Sequence, residues 1–149
     1  MRQDRFTEQA QETLARSQEL VRSYKHSQWD VEHILLAMLQ QPKGLTGDIL
    51  EKLGVEAGEV RSRVEEVLAQ SPKVSYEGTT FYATPRTASL LENASAEADR
   101  LKDEFVGTEH ILIAMAAERD GAASQILRDF GIEQENLYSA LRDIRGSQR

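Results

Sequence analysis

Residues Val31–Met38 read "VEHILLAM", and residues Gly107–Met115 read "GTEHILIAM". The shared Glu-His-Ile-Leu strings, at 32–35 and 109–112, lie 77 residues apart, and that offset organises the chain. Laid on itself at this offset without a gap, Thr7 falls on Thr84, Leu14 on Leu91, Lys25 on Lys102, and Ala37-Met38 on Ala114-Met115. Gly44 falls on Gly121, Ile49-Leu50 on Ile126-Leu127, and Gly54 on Gly131. So many matches at one fixed spacing mark a tandem duplication. The expected organisation is one domain over 1–149, with repeat one at 6–68, a linker at 69–81 and repeat two at 82–145.

Each repeat predicts four helices. The first starts at Thr7, a good N-cap residue, and its twin at Thr84, where Pro85 suits the first helical position. The second carries the quoted string. Val31, Ile34, Leu35, Met38 and Leu39 form its apolar stripe, with Asp30 as N-cap and Thr108 in the capping place of the copy. The third runs from about Thr46 to Leu53 and stops at Gly54; its copy runs to Phe130 and stops at Gly131. The fourth shows Val60, Val64 and Val67 on one face, and its copy Leu137, Leu141 and Ile144. A unit of roughly sixty residues buries a marginal core on its own. The fold class expected is therefore all-α, two tandem four-helix repeats packed about a pseudo-twofold axis into one compact domain.

The composition excludes several chemistries. The chain of 149 residues has no cysteine, which removes disulfides, cysteine-ligated metal and thiol catalysis. A net charge of −7 argues against nucleic acid as a partner. No apolar run approaches a membrane span, and the charged N-terminus does not read as a secretory signal, so a cytoplasmic protein is expected. Neither a GxxxxGK[ST] phosphate loop nor a GxSxG nucleophile elbow is present, and no catalytic residue is expected. His33 and His110 follow glutamates but lack the HExxH spacing of a zinc site. A metal-dependent hydrolase would need these two histidines to meet across the dyad beside the paired glutamates. His26 has no histidine counterpart and reads as a loop residue, and Trp29 as an aromatic packed at the start of the second helix. Phe81 and Tyr82 read either as a surface aromatic patch or as a linker clamped onto the body.

The candidate binding residues are Thr7, Glu32, Thr84, Arg86 and Glu109. Glu32 and Glu109 fall in the first turn of their helices, where the helix dipole favours a carboxylate. Symmetry would let each face a groove near the start of its own half's first helix. There Thr7 or Thr84 offers a hydroxyl and free backbone N–H groups, an anion site. A carboxylate beside an anion site suits a ligand with one positive and one negative end, and a phosphorylated arginine side chain is such a group.

The strings "RFTEQAQETL", "EHILLAML", "ATPRTASLLENASAEA", "GTEHILIAM" and "GAASQILRDFGI" together resemble the double Clp repeat domain found at the N-terminus of Clp ATPase chaperones of ClpC and ClpB type. The resemblance covers nearly the whole chain. It implies a substrate- and adaptor-binding domain, tethered to a hexameric AAA+ unfoldase that serves protein quality control. ATP would be hydrolysed in downstream modules, and no cofactor is expected in this chain. The implied partners are unfolded or phosphoarginine-marked proteins and adaptor proteins. In ClpC-type members the two repeats bind phosphoarginine, which implies Glu32 and Glu109 as pocket carboxylates. Thr7 would stand on the phosphate side in one half, and Thr84 with Arg86 in the other. Asp30-Val31 departs from the Gly-Thr of the motif kept at Gly107-Thr108, an added acid where a phosphate would lie. The ending "LRDIRGSQR" resembles ClpB-type domains, which are not linked to phosphoarginine, so both types remain open. A free-standing double Clp repeat protein that regulates a Clp machine or sequesters its ligands is the second reading. In isolation a monomer is expected, since the duplication already supplies the symmetry of a dimer.

Overall fold

The computed structural model describes residues 3–41, 43–75 and 80–147. After a 3-10 turn at Gln3–Arg5 come α1 (Glu8–Ser23), β1 (Gln28–Trp29), α2 (Val31–Leu39), α3 (Leu45–Lys52) and α4 (Ala57–Gln70). Then follow β2 (Tyr82–Ala83), α5 (Pro85–Arg100), α6 (Thr108–Ala116), α7 (Ala122–Asp129) and α8 (Gln134–Ser147). The fold is all-α, and the bounds of α5–α8 repeat those of α1–α4 at the offset of 77 without a slip. No helix among the described residues is long and apolar enough to cross a membrane.

Local chemistry explains the matched bounds. Thr7 caps α1 by accepting from the Ala10 N–H, and Thr84 caps α5 by accepting from the Thr87 N–H, each at 3.1 Å. At the other end, Lys25 and Lys102 both adopt φ of 61°. The amides of His26 and Asp103 then reach back to the carbonyls of Val21 and Ala98, at 2.9 and 2.8 Å. This is the Schellman closure of a helix, made with lysine where glycine is usual. It turns His26 and Asp103 inward, under the helix that follows.

The start of α6 differs from expectation. Gly107, not Thr108, is its N-cap, and Thr108 is already helical. The cap works because His110, at the third helical position, accepts the Gly107 N–H on its Nδ1 at 2.9 Å. His33 does the same for Asp30 at 3.0 Å. Each histidine thus takes the role that Glu or Gln plays in a capping box.

Helices α2 and α6 form the centre. Every residue from Val31 to Met38 is buried, including Leu36, which lies outside the expected stripe. A helix apolar all round must be enclosed on all sides. Enclosure comes from an exchange between the halves. The strand β1 pairs in parallel with β2, Gln28 opposite Tyr82 and Trp29 opposite Ala83. Symmetrically, Phe6 bridges Val106, and the Thr7 amide donates to the Val106 carbonyl at 2.9 Å. Helix α4 also packs on α7, and α3 on α6 and α8. One apolar cluster therefore runs through both halves, from Phe6, Ile34 and Val60 to Ile111, Ile126 and Leu137.

Of the stretch expected as a linker, residues 69 and 70 belong to α4, and the Val74 amide donates to the Lys25 carbonyl at 2.8 Å. Residues 76–79 lie outside the described residues. Phe81 lies under the Arg22 guanidinium, 4.8 Å from the ring centre, whereas Tyr82 is exposed and accepts from Gln28 on its hydroxyl.

Candidate functional site

The strand exchange decides which residues meet. It carries the start of α5 to the start of α2, and the start of α1 to the start of α6. Glu32 therefore faces the first helix of the other half, whereas the Glu109 carboxylate turns to Arg145 of its own half. This corrects the expected pairing of Glu32 with Thr7 and of Glu109 with Thr84: Thr84 stands at the Glu32 site, and Thr7 at the helix that bears Glu109.

At the first site Glu32 is buried and grips Arg86. The guanidinium Nη1 and Nη2 donate to Oε1 and Oε2 of Glu32 at 3.4 and 3.2 Å. Arg86 also pairs with Asp30 and Glu118, each at 3.2 Å. Glu32 Oε2 further accepts the Ala123 N–H at the start of α7 at 2.9 Å, where the helix dipole adds to its hold. Asp30 takes the Thr84 hydroxyl at 2.9 Å. Burial disfavours the Arg86 charge, but hydrogen bonds and charge from Glu32, Asp30 and Glu118 outweigh it and raise the pKa above the ordinary arginine value. Burial raises the Glu118 carboxyl; Arg86 opposes this, and Glu32 and Asp30 add to it. Gly121 permits the closeness, since a Cβ there would stand 2.2 Å from the guanidinium.

At the second site the same scaffold carries other residues. Gly107 replaces Asp30, and the Glu109 carboxylate folds back over it, so a Cβ on Gly107 would meet Oε1 at 2.0 Å. Gln9 replaces Arg86 and lies over Gly44 as Arg86 lies over Gly121. Glu109 is paired with Arg145 at 3.4 Å, and that guanidinium is shared with Asp103 at 2.8 Å. Burial raises the Asp103 carboxyl, but its bonds to Arg145 and His110 outweigh this and hold it below the usual range. Burial likewise opposes the Arg145 charge, and Asp103 and Glu109 override it.

The histidines stay apart. His33 pairs with His26 at 2.8 Å, and His110 with Asp103 at 2.7 Å, each within its own half. The hydrolase reading, which needed His33 and His110 together across the dyad, fails on this geometry. No cluster of three metal-ligating side chains occurs among the described residues.

Sequence reasoning named Arg86 as a phosphate contact, whereas the structure gives its charge three carboxylates. It missed Glu118, Arg145, Gln9 and the Ala123 amide. Gln9 was legible as the residue that falls on Arg86 at the offset of 77. Trp29 is half-buried, donates its indole N–H to Ser17 at 2.8 Å and lines a cavity of about 390 Å³ with Phe6, Leu14 and Leu91.

The model of the Clp repeat (R) N-terminal domain matches residues 5–130. The chain belongs to this family. It is 35% identical over 145 residues to chaperone protein ClpB 1 of Synechocystis sp., covering 97% of this chain and 16% of that protein. It is 32% identical over 143 residues to the negative regulator of genetic competence ClpC/MecB of Bacillus subtilis, covering 96% of this chain and 17% of that protein. The chain thus spans about a sixth of the length of these relatives. Among solved structures, the Hsp104 N-terminal domain from Candida albicans superposes with a TM-score of 0.82 at 22% identity, over 97% of this chain and 93% of that one. A ClpV N-domain in complex with a VipB peptide gives 0.72 at 22% identity, over 90% and 82%. These likenesses show the fold of a Clp N-terminal domain.

Proposed function

We propose that this chain is a substrate- and adaptor-docking domain of a cytoplasmic Clp-family AAA+ unfoldase, and that its Glu109 site receives phosphoarginine. The observation that carries this reading is Arg86 on Glu32. In one half the helix-start carboxylate already holds a guanidinium, supplied by the chain itself. In the other half the matching position is Gln9, the Thr7 amide at the start of α1 bonds to the Val106 carbonyl just before α6, and Glu109 has one half-exposed arginine as partner. A ligand guanidinium takes the place of Arg145 on Glu109, and its phosphate lies toward the start of α1. The first site is closed by Arg86, and Asp30 repels phosphate from Thr84. The apolar cavity at Phe6, Leu14, Trp29 and Leu91 receives exposed apolar segments of substrates. A structural relative with a bound peptide, the ClpV N-domain, supports peptide docking on this fold.

Titration calorimetry with free phosphoarginine tests the proposal. One saturable site, abolished by Glu109→Ala and kept by Glu32→Ala, is the expected outcome. Absence of binding at millimolar ligand would overturn phosphoarginine recognition and leave the docking of apolar segments. Arg86→Ala is expected to expose Glu32 without creating a second strong site, because Asp30 remains.

A further inference from the structure

Three donors at the start of α3 have no acceptor. Thr46, in the first turn of that helix, makes no hydrogen bond from its backbone N–H among the described residues, and its buried hydroxyl makes none either. Gln9 lays its side-chain amide over Gly44, the N-cap of α3, and that amide also has no partner among the described residues. A buried hydroxyl left unpaired costs stability, so an idle one beside two further donors marks a place kept for an acceptor.

The first half shows which acceptor belongs there. At the offset of 77 Thr46 falls on Ala123 and Gln9 on Arg86. The Ala123 N–H and the Arg86 Nη2 both donate to Glu32 Oε2, at 2.9 and 3.2 Å. The matching carboxylate is Glu109, carried on a helix with matching bounds, yet it lies elsewhere: it folds back over Gly107 and meets Arg145 at 3.4 Å. Two substitutions account for this. Gly107 stands where the first half has Asp30, and the three atoms nearest to a Cβ at Gly107 all belong to the Glu109 carboxylate, the closest at 2.0 Å. The folded-back position therefore exists only because residue 107 is glycine. Arg145 stands where the first half has Leu68, so Glu32 meets no such cation on that side.

We propose that Thr46 is a positioning residue of the Glu109 site, and that Glu109 has two positions. In the resting one, seen here, Arg145 holds it over Gly107. In the binding one it takes the Thr46 N–H and hydroxyl at the start of α3, as Glu32 takes the Ala123 N–H. Gln9 then offers a neutral amide where Arg86 offers a charged fork, so the carboxylate keeps its charge for a ligand cation. Arg145 competes with that ligand, and the apparent affinity falls with the share of molecules at rest. The proposal rests on the reading of Glu109 as the carboxylate of a cation site, and it adds what places that carboxylate.

The first test needs no ligand. Gly107 has φ of −105°, which alanine adopts freely, so Gly107→Ala displaces the Glu109 carboxylate without straining the backbone. Amide proton NMR then reads where the carboxylate goes, since a carboxylate deshields the N–H that it accepts. Gly107→Ala should move the Thr46 amide downfield, toward Ala123, and Glu109→Ala in that background should cancel the move. A Thr46 amide that stays in place would overturn the proposal. Calorimetry with phosphoarginine on the same samples is the second test. Gly107→Ala should bind about three- to fivefold tighter than the wild type, the share that a half-exposed ion pair withholds. Thr46→Val should bind several-fold more weakly, and Thr46→Ser should restore the affinity. Because Thr46→Val removes a hydroxyl with no partner, its melting temperature should hold or rise while affinity falls, which a merely structural role would not produce. Weaker binding by Gly107→Ala, or unchanged binding by Thr46→Val, would also overturn the proposal. The two readings fail separately. If the Thr46 amide moves and no sample binds phosphoarginine at millimolar ligand, phosphoarginine recognition falls and the two positions stand; if the wild type binds and the amide does not move, only the two positions fall.

Discussion

The two halves have one backbone and two chemistries. At the start of α2, Asp30, Glu32 and Glu118 surround Arg86, and a buried pair of histidines lies behind them. At the start of α6 the same places hold Gly107, Glu109 and Gln9, with a histidine and Asp103 behind. Duplicated helices keep their length because caps and core spacing are kept. Charges at the exchanged ends have diverged: Glu32 is held by Arg86 and the Ala123 amide of the opposite repeat, and Glu109 by Arg145 of its own. One end has closed on an internal cation, and the other holds its carboxylate with a half-exposed arginine. Symmetry of fold therefore does not carry symmetry of charge.

The largest contrast is expected at the glycines under Arg86 and Gln9. Gly121 has φ of 104°, and a Cβ there would collide with the guanidinium, so Gly121→Ala combines backbone strain with displacement of a paired charge. About 3 kcal/mol is expected from strain of that class together with a disrupted buried ion pair. Gly44 has extended backbone, with φ of 163°, and its Cβ would meet only the end of the flexible Gln9 side chain. Gly44→Ala is expected to cost under about 1 kcal/mol. Urea denaturation of both variants checks the contrast, and equal losses would break it.

Next come the glutamates themselves. Glu32→Ala removes a buried acceptor from Arg86 and from the Ala123 amide, and about 2 kcal/mol of destabilisation is expected. Glu109 is more exposed, and Arg145 keeps Asp103 when Glu109 is removed, so Glu109→Ala is expected to cost less than about 1 kcal/mol. The same denaturation series measures both.

Acid should separate the halves by pH. In the first half the hydrogen bonds fix the protons. The Asp30 N–H occupies His33 Nδ1, so Nε2–H donates to His26 Nδ1, and His26 Nε2–H donates to the Leu68 carbonyl at 3.1 Å. A further proton on either ring has no acceptor. Burial, with the neighbouring His26 adding to it and Asp30 opposing, pushes His33 down to about 4. Burial also lowers His26, against the Leu68 carbonyl and with Lys73. Both groups have folded values below the unfolded one near 6.5. Their stabilisation is present above about 6.5 and is lost as pH falls through the folded values, with a loss of roughly 2–3 kcal/mol for His33. Asp103 is also lowered, but from a carboxyl value, so its contribution fades only below about pH 4. His26→Asp, which copies the second half, should remove much of the loss between pH 6.5 and 4. Thermal melting against pH checks this, and an unchanged profile would break the assignment to the histidine pair.

Much of this was legible in the sequence, and what was not has physical causes. Helix bounds depend on caps and periodic apolar positions, which are local, and the offset of 77 doubled each signal. The exchange between halves rests on two-residue strands and a single bridge at Phe6 and Val106, too short for any alternation to show. Missing that exchange misassigned Thr7 and Thr84 to the wrong glutamates. The cap at Gly107 was hidden because its partner is the histidine at the third helical position, where Glu or Gln is the usual sign. His26 looked unpaired because its counterpart, Asp103, is chemically different although structurally equivalent.

The smallest expected contrast lies in the threonine caps, and it sharpens the comparison most. Thr7 and Thr84 cap equal helices with equal bonds of 3.1 Å, so on capping alone each change to Ala should cost about 1 kcal/mol. Thr84 is buried, and its hydroxyl also donates to Asp30, which that carboxylate shares with Arg86 and the Val31 amide. Thr84→Ala should therefore exceed Thr7→Ala by a further ~0.5–1 kcal/mol, the worth of one hydrogen bond to a charged group that keeps other partners. The excess belongs to Asp30 and not to the helix: in an Asp30→Gly background, which copies Gly107, the two threonine changes should cost the same. A difference that persists in that background would place the asymmetry in the helices themselves, whereas its loss would tie it to the charges exchanged between the repeats.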